Sequence, residues 1–474
     1  MIVARSSEQK KLRDSLNVNE AQFIAIYGRR RIGKTYLVNK TYENEMVFSH
    51  AGIYNGTYKE QLQAFTNKLD YYGLKNFEKP KNWIDAFYLL VKLIDQSKKD
   101  KKVIFLDELS WMSTKNSGFT KALENFWNSY MSNRNDIILI VCASATSWII
   151  DNIIHNKGGL HNRVTYSINL KQFSLCEVEE YFQKKKIDFT RRQLIELYMI
   201  LGGVPYYLNL IQKDLSLASN IDKLFVGDSA ILKNENDYLY RGLFENPEGY
   251  IKIVKALANG TKAGMTRNDL IKASKQTENG NFSKKIEELE QCGIIRIYNP
   301  FGKSKKTSII QLIDNFTLFY YKFLASNPND ENFFSSIINT SKWISWSGLA
   351  FERVCLEHIK QIKTALEIGG VKTEVCSFYT TKNEENGIYG SQIDLLIVRN
   401  DETINLCEMK FSNKPYLVTA KDIEKMEIKR SDLMNITKTK YSIIPTLIVS
   451  PDAARNAYSN EFPSIVTSDD LFKY

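Results

Sequence analysis

Gly28-Arg29-Arg30-Arg31-Ile32-Gly33-Lys34-Thr35 fits the pattern G-x-x-x-x-G-K-[ST], directly after an apolar run ending at Tyr27 and directly before a helical run, Tyr36–Lys40. In that setting the two glycines let backbone N–H groups wrap a phosphate, and the helix start adds the positive end of its dipole. Lys34 is expected to reach the β- and γ-phosphates of a nucleoside triphosphate, and Thr35 to ligate Mg²⁺. A second apolar run, Val103-Ile104-Phe105-Leu106, ends in Asp107-Glu108. Asp107 is the expected outer ligand of the same Mg²⁺, and Glu108 the expected catalytic carboxylate that polarises an attacking water. Ser144 ends the next run, Ile137–Ala143, and is either a sensor beside the γ-phosphate or a strand-end hydroxyl capping backbone. Arg163 is either a phosphate-directed arginine or an ordinary surface one.

A second group lies toward the end of the chain. Gln392–Val398 and Ile404–Lys410 read as two strands around a polar turn, Asn400-Asp401-Glu402. A hairpin centred on position 401 sets Asp394 opposite Glu408, Cβ atoms about 5 Å apart, with Lys410 on the same face. Two opposed carboxylates repel unless a cation lies between them. Mg²⁺ meets that need, and a neighbouring lysine would steady a phosphate or an attacking hydroxide. The same residues also read as a surface hairpin held by a salt bridge.

These residues need elements to hold them. Short buried strands at 21–27, Val103–Leu106 and Ile137–Val141, separated by helical patterns, predict a parallel α/β sheet. Thr190–Leu243 reads as helical. Tyr250–Asn259, the segment opening at Thr266 and Phe282–Gln291 read as three helices, and Ile294–Tyr298 and Ser308–Ile313 as two strands. That order predicts a winged helix-turn-helix whose basic tip is Lys303-Ser304-Lys305-Lys306. Glu287, Glu288 and Glu290 make its third helix a poor groove reader, so the element either touches duplex DNA or extends a lid. After the Asn327-Pro328-Asn329-Asp330 break, a second α/β block begins near Trp343. The expected domains are 1–245, 246–330 and 340–474. The aromatics Trp343, Trp346 and Phe351, and Phe316, Phe319, Tyr320 and Phe323, read as packing; no role falls to His50, His155, His161 or His358.

At 474 residues, 43% hydrophobic and 25% charged, the chain is long enough to bury real cores and is neither disordered nor fibrous. The longest uncharged apolar run, Ile137–Ile150, is too short to cross lipid, and Met1–Leu16 carries no apolar leader. Six scattered cysteines without CxxC spacing suggest reduced thiols and a cytoplasmic setting. The net charge of +10 is uneven: Ser341–Tyr474 carries −1, whereas Tyr250–Asp330 alone carries +6. A basic middle segment points toward nucleic acid.

Residues 1 to about 330 resemble the archaeal-type ATPase family, a branch of the STAND and AAA+ P-loop ATPases. The resemblance rests on Gly28–Thr35 with its three arginines, Phe105-Leu106-Asp107-Glu108, Leu201-Gly202-Gly203-Val204-Pro205-Tyr206-Tyr207 and the opening Arg5–Leu12. It implies ATP with Mg²⁺, a helical lid in which Pro205 meets the nucleotide base, and room for a homo-oligomer. Trp343 to Ser450 resembles the PD-(D/E)xK nuclease superfamily through Asp394, Glu408 and Lys410, with Glu352 of Phe351-Glu352-Arg353 as the helical acid. That implies a restriction-endonuclease-like α/β domain, a metal held by Glu352, Asp394 and Glu408, and nucleic acid, DNA foremost, as partner. Two readings stay open: an ATPase that licenses a Mg²⁺-dependent cut, and an ATP-gated switch that binds nucleic acid or protein through a silent nuclease-like fold.

Overall fold

The computed structural model describes residues 2–260, 264–303, 307–326, 330–383, 385 and 387–474. Two compact units emerge, one of residues 1–172 with 242–245, the other of residues 173–241 and 246–474.

The first unit is built on five strands, β1 (Gln22–Tyr27), β2 (Met46–Ala51), β3 (Lys102–Asp107), β4 (Ile137–Ala143) and β5 (Tyr166–Asn169). All neighbours are parallel, in the order β2-β3-β4-β1-β5. Alternate residues feed opposite faces, which is why these strands read as unbroken apolar runs. Phe23, Ala25, Ile104, Leu106, Leu139 and Val141 face one core, with α3 (Tyr58–Tyr71) and α4 (Trp83–Gln96). Ile24, Ile26, Val103, Phe105, Ile138 and Ile140 face the other, with α1 (Ser6–Asp14) and α2 (Lys34–Thr41). Because β4 runs between β1 and β3, its tip separates the loop after β1 from the carboxylates that end β3.

The second unit opens with α5 (Leu175–Lys184) and α6 (Arg191–Leu201), each started by a capping box, Ser174/Glu177 and Thr190/Gln193. The sequence placed this lid with the first domain, up to residue 245; the structure groups most of it with residues 246–474. The physical reason lies in α6, where Leu194 to Leu201 are all buried, so the helix needs partners all round. It finds them in the helix Asn315–Phe319 and in α10 (Ser341–Glu357).

Between them come α7 (Glu248–Ala258), β6 (Met265–Thr266), α8 (Arg267–Ser274), α9 (Gly280–Gln291), β7 (Ile295–Tyr298) and β8 (Ile309–Leu312), with the three strands antiparallel in the order β6-β8-β7. The three helices and the strands β7 and β8 were expected there; the short β6 was not. Residues 304–306 of the basic tip, and 327–329 of the break, lie outside the described residues.

The chain ends in a five-stranded mixed sheet, β9 (Thr373–Tyr379), β10 (Gln392–Arg399), β11 (Thr403–Phe411), β12 (Ser442–Ser450) and β13 (Ser464–Thr467), ordered β13-β12-β11-β10-β9. The β9–β10 and β10–β11 pairs are antiparallel, and β11–β12 and β12–β13 parallel. Crossover helix α11 (Ala420–Thr437) buries Met426 and Leu433 against Leu396, Leu406 and Leu447. The aromatics do pack: Trp343 and Trp346 lie 4.9 Å apart, and Trp346 lies 5.5 Å from Phe319. All six cysteines are buried and free. Among the described residues no helix is long and apolar enough to cross a membrane.

Candidate nucleotide site and C-terminal polar cluster

The loop after β1 is shaped by residues that only certain side chains allow. Gly28 has φ 139°, and a Cβ there would fall 2.3 Å from the Leu170 carbonyl oxygen. Leu170 itself donates its N–H to Tyr27 O at 2.7 Å, locking β5 beside the loop. Gly33, at φ 88°, starts α2 in a left-handed conformation. Ile32 is buried in the core beneath, and its carbonyl accepts from Arg5 at 3.3 Å. Arg30 lies against Gly242, where a Cβ would stand 1.5 Å from its Nη1, so a side chain at 242 would push the arginine out. No sequence signal singles out Gly242. Arg29, Arg30 and Arg31 are each half-buried.

Lys34 is buried and folds back over the loop, its Nζ donating to Gly28 O at 3.0 Å, to Arg29 O at 3.2 Å and to Ser144 Oγ at 3.1 Å. Thr35 Oγ1 donates to Asp107 Oδ2 at 2.5 Å. Burial raises the Asp107 carboxyl above its ordinary range, with the Thr35 hydrogen bond opposing and the Glu108 carboxylate adding to the rise. Glu108 has φ 51° and donates its N–H to Asp107 Oδ1 at 2.9 Å. Its carboxylate accepts twice from Ser144, from the N–H at 2.9 Å and from the hydroxyl at 2.5 Å. Ser144 thus joins Lys34 to Glu108, tying the tip of β4 to both neighbouring strands. Arg163 stands exposed on a turn, its N–H donating to Leu160 O at 3.1 Å, and is not gathered with these residues.

Thr35 and Asp107 fit a hydrated Mg²⁺: a hydroxyl and a carboxylate already meet at the mouth of a phosphate loop. The chain also spells the guanine-reading pattern N-K-x-D at Asn67-Lys68-Leu69-Asp70, but this lies inside α3, where Asn67 accepts from Gln63 at 2.6 Å and Asp70 pairs with Lys75 at 2.7 Å.

In the second unit, Pro205 opens a short helix, Pro205–Asn209. A Cβ on Gly203 would fall 1.9 Å from Phe173 O, and Phe173 N–H donates to Gly203 O at 2.7 Å. The glycine therefore serves close backbone packing against Phe173.

The C-terminal hairpin has the predicted register: Leu395 pairs with Cys407, Leu396 with Leu406, and Val398 with Ile404. Among the described residues no three His, Cys, Asp or Glu side chains are grouped to hold a metal ion. Glu408 instead accepts from two ammonium groups, Lys410 Nζ on Oε1 at 2.8 Å and Lys429 Nζ on Oε2 at 2.6 Å. Burial would raise its carboxyl, but the two lysines bring it down to about 2. Asp394 accepts from Gln392 at 2.7 Å. Together with buried Glu352, it acts on the buried guanidinium of Arg353 and on Arg296 of β7. Burial and the Arg353 cation lower Arg296 to about 10. All three carboxylates thus face cations: Glu408 faces Lys410 and Lys429, Asp394 the two arginines, and Glu352 the arginines and Lys410. Lys429 sits on the crossover helix, beyond the reach of any short motif.

Lys303, the described member of the basic tip, lies over the Tyr379 ring at 3.6 Å, and Phe301 N–H donates to Ser377 O at 2.7 Å. Glu288 and Glu290 of α9 are also spent internally, on the Tyr250 hydroxyl and on Ile297 N–H. His358, given no role from sequence, is structural: Leu175 N–H donates to its Nε2 at 2.9 Å and Nδ1 meets Val354 O at 2.7 Å. Burial holds it neutral, with its pKa lowered to about 4.

Residues 2–211 match the family described as an ATPase domain predominantly from Archaea. An uncharacterised protein of Methanocaldococcus jannaschii is 25% identical over 436 residues, 91% of this chain and 90% of that protein. An uncharacterised ATP-binding protein of the same organism is 45% identical over 47 residues, 10% of this chain and 80% of that protein. Among solved structures, a Walker-type ATPase of Pyrococcus abyssi aligns at 17% identity and TM-score 0.47, covering 68% of this chain and 96% of that one.

Proposed function

The chain belongs, through residues 2–211, to the archaeal-type P-loop ATPase family, and from that premise we propose that its ATP hydrolysis gates a C-terminal domain that holds nucleic acid. The observation that carries the ATPase half is the Lys34–Ser144–Glu108 linkage beside the Thr35–Asp107 pair. Lys34 leaves its loop carbonyls for the β- and γ-phosphates as ATP enters, and Glu108 orients the water that attacks in line. Thr35 and Asp107 hold Mg²⁺, whose chemistry in such a site is charge neutralisation on the triphosphate oxygens. Pro205 and the lid carry the response, with Arg163 reserved for a phosphate contact in a closed or oligomeric state.

For the C-terminal domain we favour binding over cutting. The paired lysines on Glu408 and the dispersal of the three carboxylates support a domain that keeps the nuclease-like order of elements without a ready metal cluster. The segment 246–330 reads as a winged helix serving as a structural extension, since Lys303 is spent on Tyr379. The second reading, a Mg²⁺-dependent cut by Asp394, Glu408 and Lys410 with Glu352, is supported by the hairpin register, which runs to the Leu395–Cys407 pair, one step short of positions 394 and 408.

One experiment separates these readings: phosphate release from ATP, and binding and cleavage of labelled DNA and RNA, by full-length protein with Mg²⁺ or Mn²⁺. Lys34→Ala and Glu108→Gln should each abolish turnover, the latter with ATP binding retained. Intact substrates with nucleotide-dependent binding support the switch; cleavage lost in Glu408→Ala supports the nuclease; absence of both binding and cleavage refutes any nucleic-acid role.

A further inference from the structure

Two side chains of the C-terminal sheet and one of its crossover helix form an arrangement that the ATPase does not use. Lys410 projects from β11 and Lys429 from α11, so tertiary structure and not local spacing brings them together. Each takes a different oxygen of the Glu408 carboxylate, at 2.8 Å and 2.6 Å. The next anion, Asp422, is 4.0 Å from Lys410 and already committed elsewhere. It accepts from Thr419 N–H at 3.0 Å, the Thr419 hydroxyl at 2.7 Å and the Tyr416 hydroxyl at 2.9 Å, as the cap of α11. Two ammonium groups therefore share one carboxylate.

Burying such a triad is expensive, and apolar side chains of similar volume would hold α11 to β11 at less cost. The triad is also not sealed: Glu408, Lys410 and Lys429 are 23%, 25% and 18% exposed. A carboxylate and a phosphodiester offer the same fork, two oxygens on one atom sharing a single negative charge. Ammonium groups set on the two oxygens of the first are set for the two non-bridging oxygens of the second.

We propose that Lys410 and Lys429 form a two-ammonium seat for a phosphodiester, and that Glu408 is its internal competitor, filling the seat until a phosphate displaces it. This rests on the reading that the C-terminal domain holds nucleic acid, and adds to it Lys429, a residue that no motif includes. The carboxylate weakens binding by design: a chain of the same fold with the lysines uncovered would hold nucleic acid constantly, and this one releases it readily.

The test is fluorescence anisotropy with full-length protein and labelled single-stranded DNA, duplex DNA and RNA in EDTA, between roughly 50 and 200 mM salt. Glu408→Gln uncovers both lysines. It should tighten binding about tenfold and steepen the duplex salt dependence by about 0.9 in log–log slope, for the one further phosphate neutralised. Adding Lys429→Gln or Lys410→Gln to Glu408→Gln should cancel most of that gain. Glu424→Gln removes the same charge from an exposed position of α11 and should change affinity less than twofold. A Glu408→Gln effect no larger than that of Glu424→Gln overturns the proposal, as does a gain that survives removal of Lys429. Should Glu408→Gln lose its melting transition, Lys429→Gln, which keeps the Lys410–Glu408 pair, replaces it. It should weaken binding about threefold or more where exposed Lys425→Gln does not, and equal effects overturn the proposal. Wild-type binding without a Glu408→Gln gain sinks only this inference. No binding by either protein to any of the three substrates sinks the nucleic-acid reading itself. The three substrate arms tell DNA from RNA.

Discussion

Replacing Ser144 by Ala removes one hydroxyl and two charge-assisted hydrogen bonds, from Lys34 at 3.1 Å and to Glu108 at 2.5 Å. The backbone N–H of residue 144 still meets Glu108 at 2.9 Å, and Lys34 keeps Gly28 O and Arg29 O, so the loop stays folded. A hydrogen bond to a charged group contributes about 1.5–3 kcal/mol. If one such bond positions Lys34 or Glu108 in the transition state, its loss slows turnover about 10- to 100-fold, at roughly 1.4 kcal/mol per decade. ATP affinity should change less than about threefold, because the glycines, the start of α2 and Lys34 itself remain. The assay is steady-state phosphate release beside direct ATP binding, with a melting curve to show that the fold survives at a cost of about 1 kcal/mol, or about 2–4 °C. A variant whose kcat stays within about twofold of wild type would show that Ser144 only caps backbone. A loss of affinity that matches the loss of turnover would assign the hydroxyl to ground-state binding instead.

Three other outcomes are set by the geometry. Gly28→Ala places a methyl group 2.3 Å from Leu170 O at a φ of 139°, so ATP binding should fall at least about tenfold in a titration while the rest of the chain stays folded. Arg192→Ala removes bonds to Ser412 O and Asn413 Oδ1, both 2.5 Å, a stack on Phe411, and the partner of buried Glu196 at 2.9 Å. The second unit should lose about 1–3 kcal/mol at neutral pH in urea denaturation, the partial exposure of Arg192 trimming the cost of a lone buried charge. Glu196 has a carboxyl raised by burial, so its folded form takes up a proton more readily than its unfolded form. Lowering the pH through that raised value neutralises it, and the penalty of Arg192→Ala should shrink; a penalty that grows on acidification would contradict the assignment.

The phosphate loop was legible because its chemistry is local. Gly28, Gly33, Lys34 and Thr35 act through backbone shape and a helix start, and both are written in consecutive residues. The β1, β3 and β4 strands were legible as apolar runs because both faces of a parallel sheet are covered. The hairpin about position 401 was legible because strand alternation and a polar turn leave a single register. What covers α6 was not: the helix carries Arg191 and Arg192 at its start and buries Leu194 to Leu201, and only the later segments supply its partners.

The C-terminal cluster shows where such reasoning stops for a physical reason. The carboxylates at 394 and 408 do demand positive charge, and the structure supplies it to each. Electrostatics alone sets the sign of the neutralising group, not its identity. A divalent ion needs several oxygens converging on one point, whereas an ammonium needs only one good acceptor. Which of the two a sheet face accommodates depends on what the crossover helix brings over it, and α11 brings Lys429. A face neutralised by side chains that are partly open to water differs in kind from one neutralised by a metal. Its cationic charges are covalently attached, and in the proposed seat an incoming anion would replace a single carboxylate. On the proposed function, such a domain suits a partner that is gripped and released in step with ATP turnover.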